Sequence, residues 1–218
     1  MSRPRHAGAA RSILASAKIN ALAGSRASVR GRRHPTALRM KPLLGFAHAI
    51  DRLNSGFGLI ATWLVLAATL VSAINATTRY AVDMSSNAWL ELQWYMFAGI
   101  VMLGAPVVLR VNEHVRVDVI YGKLPNRTRA WIDLLGMIFF LLPGAILIGQ
   151  MAWPWFVDSW INNELSSNAG GLARWPAKLA MPLGFALLVL QGIAEIIKRV
   201  AYLAGVYQMD THYERPLQ

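Results

Sequence analysis

The sequence predicts an all-α integral membrane protein: four helical spans, with short amphipathic helices at the interface. Three features predict it. The chain of 218 residues is 55% hydrophobic and only 15% charged, too apolar for an ordinary soluble domain and too long for a single anchor. Long stretches carry no charge at all, such as the one between Arg52 and Arg79. The basic residues gather at alternate ends of these stretches, which is the pattern of an even number of crossings.

The net charge of +11 suggests nucleic acid at first, but it is unevenly spread. Residues 1–39 hold nine of the 22 Lys and Arg and no acid, leaving thirteen bases against eleven acids elsewhere. The segment 1–39, rich in Ser, Ala, Gly and Arg, has the composition of a disordered tail drawn to anionic lipid, and also that of an organelle transit peptide. Met40 offers an alternative start. Cysteine is absent, so the chain has no disulfide and no thiolate chemistry.

Residues 40–55 set Leu43, Leu44, Ala47, Ile50 and Leu53 at helical spacing among Lys41, His48, Asp51 and Arg52, the pattern of an amphipathic helix at the membrane surface. The first span follows at about 56–78. Ala68, Ser72 and Ala76 recur every fourth residue there, a spacing that lets helices approach closely in lipid. The second span runs from about 91 to 110 and contains Pro106. The third, about 131–152, contains Pro143-Gly144, read as a kink. Residues 152–176 are crowded with tryptophan, which favours the membrane interface. They are read as an interfacial helix followed by a turn at Asn168-Ala169-Gly170-Gly171. The fourth span, about 177–197, ends at Lys198 and Arg199, and 201–218 form a C-terminal tail. Basic residues before span one, between spans two and three, and after span four put both termini and the middle loop in the cytoplasm.

No span carries a charge in its middle third, where an autonomous carrier needs ionisable groups or broken helices. Glu91, Asp133 and Glu195 all lie near span ends. Haem ligation would need histidines on facing helices, and His48, His114 and His212 lie outside the spans. Glu113, His114 and Asp118 are metal-ligand types, but they sit in a charged loop that favours salt bridges. No phosphate loop or nucleophile elbow is present. These residues predict no enzyme, no cofactor and no metal; a small packed protein without chemistry of its own reads as a subunit.

One stretch carries a family resemblance. Arg79-Tyr80 closes the first span, and Trp89 with Glu91-Leu92 opens the second. Gly104-Ala105 come late in that span. Arg110 is followed by His114-Val115-Arg116-Val117-Asp118, then by Leu124-Pro125 with Arg127 and Arg129. This pattern, over about residues 41–200, resembles the small Q-type membrane subunit of tripartite ATP-independent periplasmic (TRAP) transporters. The paired acids frequent in that family at the start of span two are here Leu90-Glu91, and the basic tail is not a family feature. The resemblance implies a bacterial inner membrane and Na⁺-driven uptake of organic acids across it, with a large M-type subunit that holds the transport sites and a periplasmic substrate-binding protein that delivers the solute. It makes this chain a scaffold between those two partners and the lipid. Arg79 would then contact the binding protein or a lipid headgroup, or simply snorkel. Glu91 would pair with a basic group such as Arg79, or be a solvated helix N-terminus. Arg110, His114, Arg116 and Asp118, with Arg127 and Arg129, would fix the cytoplasmic loop and touch the large subunit or lipid. Alternatives are an accessory subunit of another membrane complex and, at the far end, a standalone carrier.

Overall fold

A computed structural model describes residues 35–83, 86–111 and 124–208. Within them the chain is helical almost throughout: α1 (Pro35–Ala81), α2 (Asn87–Val111), α3 (Asn126–Gly136), a π-helical turn (Met137–Leu141), α4 (Leu142–Ile161) and α5 (Trp175–Leu203). Its contacts divide it into Met1–Lys41, of which the described part is helix, and Pro42–Gln218, which holds the bundle. Among the described residues, four helical stretches, with α3 to α4 counted as one, are long and apolar enough to cross a membrane. The four-span reading stands.

Three stretches run on further than the uncharged runs alone suggest. The amphipathic residues 40–55 are the opening turns of α1 and continue unbroken into the first span. The tryptophan segment after the third span continues α4 to Ile161 before the chain turns. Residues 198–203 likewise extend α5 beyond its two basic residues. The irregularity expected at Pro143-Gly144 falls one turn earlier. Pro143 has no N–H to give the carbonyl four residues back, and its ring crowds that carbonyl. The preceding turn widens, and Leu142 N–H bonds Met137 O, five residues away.

α5 is the centre of the bundle. It packs antiparallel to α1 and α4 and parallel to α2. On α1 the buried residues are Ala47, Asn54, Ala61, Ala68 and Asn75, with Ile50 beside the first. They recur every seventh residue, the period of helices that wrap gently around one another. α5 answers with Leu187, Ala194 and Ala201 at the same period, and Gln191 between them. Ala47 and Ile50 meet Ala194; Ala61 meets Leu187, and Leu103 of α2 joins them. Of the small residues expected to form the packing face, Ala68 lies in this seam, while Ser72 and Ala76 are exposed within the chain. Gly184 brings α2 against α5: a Cβ there would stand 2.6 Å from Met102 Cβ and 2.8 Å from Met102 O. Only glycine fits.

Candidate functional site

Two polar clusters close the bundle at opposite ends. The first gathers around the hairpin 162–174 that joins α4 to α5. Ser166 N–H bonds Leu172 O at 3.0 Å and Arg174 N–H bonds Glu164 O at 2.9 Å, with a bridge between Leu165 and Ala173. The turn falls at Asn168–Gly171, where Gly170 takes φ 69°, a conformation that glycine reaches without steric cost. Gly171 is fixed by proximity, since a Cβ there would stand 2.5 Å from Ser166 Cβ.

Glu91, just past the first turn of α2, is 3% exposed and holds this hairpin. Its carboxylate accepts from the Ser166 hydroxyl, from Asn168 Nδ2 at 2.7 Å and from the Leu172 N–H at 2.7 Å. Asn87 Nδ2 adds a bond to Ala169 O at 3.2 Å. The basic partner for Glu91 is therefore not Arg79, which lies exposed on the last turn of α1. Hairpin amides and hydroxyls supply the donors instead, because the turn delivers them to a helix N-terminus where a negative charge is favoured. Glu164 faces Lys178 and Arg174. The Lys178 ammonium first of all, helped by the Ser159 hydroxyl and Arg174, pulls the Glu164 carboxyl down to about 2. Lys178 also lies 4.5 Å from the centre of the Trp155 ring, and Trp160 meets Trp175 edge-on at 4.5 Å. The tryptophans expected at an interface thus gather around this end, Trp153 against Phe156 and Phe156 against Trp160.

The second cluster lies at the other end, on the buried faces of α1, α3 and α5. Glu195, 3% exposed, pairs with both Lys198 and Arg199, the latter 1% exposed. Lys198 reaches Asp51 at 3.1 Å and Arg199 reaches Asp133 at 3.4 Å. Gln191 Nε2 donates to Asp51 and Glu195, while its oxygen accepts from Asn54 Nδ2 at 2.7 Å. Arg110, from the last turn of α2, donates to Asp51 O at 3.0 Å and to Ser55 Oγ. Four helices are thereby joined, mostly through charges that had been read as span-end residues. Each buried charge is paired, as buried charge requires, although Arg199 Nε and Asn54 Oδ1 are left without a hydrogen-bond partner among the described residues.

Arg127 is exposed in the first turn of α3 and Arg129 is half-buried there. His114, Arg116 and Asp118, with Glu113, fall outside the described residues. Among the described residues no three His, Asp or Glu side chains gather as a metal site would need. Asp51, Asn54, Gln191 and Ser166 were missed by sequence reasoning. The seven-residue repeat of small and amide residues in α1 was the available signal for Asn54; for the others, only the pairing of helices distant in sequence brings partners together.

Comparison with known proteins adds the family. Residues 68–201 match the model described as "Tripartite ATP-independent periplasmic transporters, DctQ component". A protein of Haemophilus influenzae named "Putative TRAP transporter small permease protein" is 23% identical over 146 residues, covering 66% of this chain and 89% of the relative. No solved structure matches the chain.

Proposed function

The chain belongs to the DctQ family of TRAP transporter components, as a small permease subunit, and on that footing we propose that it is the scaffold of a Na⁺-coupled uptake system for organic acids. A large M-type permease subunit would hold the solute and Na⁺ sites, and a periplasmic binding protein would dock with help from the hairpin end. The observation that supports this division of labour is where the ionisable groups go. Glu91 and Glu164 are engaged by the hairpin and its neighbours, and Asp51, Glu195, Lys198 and Arg199 by one another. Between these two clusters the spans offer an apolar interior of Ala61, Leu103 and Leu187, without the midplane charge that ion coupling needs. The chain itself would catalyse nothing.

The hairpin end faces the periplasm in this reading. Lys198 and Arg199 are neutralised by buried acids, so they weigh little in the orientation. Lys41, Arg52, Arg127, Arg129 and the bases of residues 1–39 favour the cytoplasm for the opposite end. A tagged chain drawn from bacterial membranes in mild detergent should bring a large, many-span permease in near-equal amount. A chain that emerges alone, or with an unrelated complex, sinks the assignment; the second outcome would make it an accessory subunit of that complex.

A further inference from the structure

A groove of 280 Å³ lies between α1, α2 and α5, open to the outside. Leu64, Tyr95, Gly99, Leu103, Ala180 and Leu183 shape it, and the Tyr95 hydroxyl is the one polar side-chain group in its lining. From Tyr95 to Leu103 it follows two turns of α2, about 12 Å at the helical rise. Its outer end lies beside the hairpin, because Tyr95 is one turn beyond Glu91 and Pro176 is the second residue of α5. Arg174 caps the start of α5, two residues before Pro176 of the lining, and so lies at that end. The Arg174 side chain is 43% exposed, and it shares the single Glu164 carboxylate with Lys178. The other nearby carboxylate, Glu91, is buried and bonded to three hairpin donors, and it attracts Arg174 without a direct hydrogen bond. At the surface, then, an apolar slot of the spans leads up to an accessible guanidinium.

We propose that this groove holds one phospholipid, its acyl chain lying along Gly99 and Ala180 and its phosphate at Arg174. The groove is about twice the ~150 Å³ apolar cavity that binds a benzene ring, yet far smaller in volume than two turns of a helix about 10 Å across. An open apolar slot at membrane depth loses dispersion contacts unless a flexible chain fills it. The guanidinium supplies the donors that a phosphate accepts. The proposal requires only that the chain spans a membrane, and so it stands or falls separately from the transporter assignment.

Native mass spectrometry of the full chain, purified in mild detergent with whatever partner accompanies it, tests this. Wild type should retain one phospholipid through detergent washing. Ala180→Phe, which fills the groove, should lose it, whereas Ala186→Phe, on an exposed position of α5 outside the groove, should keep it. Arg174→Gln should lower its occupancy roughly fivefold, as expected for one cation at an anionic headgroup. Wild-type protein labelled with phosphatidylglycerol carrying a diazirine in its acyl chain should form adducts at Leu64 or within residues 95–103 and 176–183, a readout that does not depend on any variant folding. Wild type without retained lipid, equal retention by Ala180→Phe, or adducts confined to other residues would overturn the proposal. So would an Ala180→Phe chain that keeps its lipid but sheds a co-purifying protein, since the groove would then be a protein contact.

Discussion

Glu195→Ala should cost about 3 kcal/mol of folding stability, the low end of what breaking a buried ion pair typically costs. The reason lies in what each partner keeps. Lys198 retains Asp51 at 3.1 Å and stays paired. Arg199, 1% exposed, retains two long contacts, to Asp133 at 3.4 Å and to the backbone carbonyl of residue 195 at 3.5 Å, and Gln191 loses one of its acceptors. The loss therefore falls mainly on one stranded guanidinium. Reversible unfolding in bicelles, followed for Glu195→Ala, Arg199→Ala and the double variant, gives the coupling directly. Removing both partners should cost less than the two single losses added together, by at least about 1 kcal/mol, because no charge is left buried alone. A single-variant loss below about 1 kcal/mol, with strictly additive double-variant behaviour, would refute the view that this cluster binds the helices together.

Gly184→Ala should destabilise by about 1–3 kcal/mol, the range for overpacking, because the new methyl meets both the side chain and the carbonyl of Met102; thermal unfolding beside the more open Gly144→Ala reads the difference. Glu164 sets the acid response of the hairpin. Its carboxyl titrates near 4.5 when the chain is unfolded and near 2 when folded, so its contribution is complete above 4.5 and lost as pH falls towards 2. Fluorine NMR of fluorotryptophan at Trp160 and Trp175 should report an ordered hairpin at pH 4; a midpoint at or above 4.5 would show that Glu164 does not govern it.

Much of the architecture was legible because lipid imposes simple demands. Uncharged runs of span length, broken by Arg79, Arg110 and the tryptophan-rich segment, located the helices, and Asn168 to Gly171 announced the turn. The packing seam was not legible from the small residues at four-residue spacing. Ala68 belongs both to that row and to the seven-residue row actually buried, and nothing local chooses between them; the choice comes from the curvature with which α1 follows α5. The polar clusters were hidden for a different reason. Asp51 and Lys198 look like ordinary span-end charges, and they become partners only when α1 and α5 are set antiparallel. Likewise Glu91 finds donors 75 to 81 residues further along the chain, a distance over which sequence pattern carries no pairing information.

The central position of α5 bears on how the protein is made. It is the last of the four spans to leave the ribosome, yet α1, α2 and α4 all dock on it. Until it arrives, Asp51 and Asn54 of α1 have no Gln191 or Lys198 to meet, and Glu164 of the hairpin has no Lys178. The newborn protein must therefore keep its earlier spans loosely associated, with polar side chains still seeking partners, and tighten in a single late step. A chain truncated before Trp175 would remain in that waiting state, an open target for membrane proteolysis.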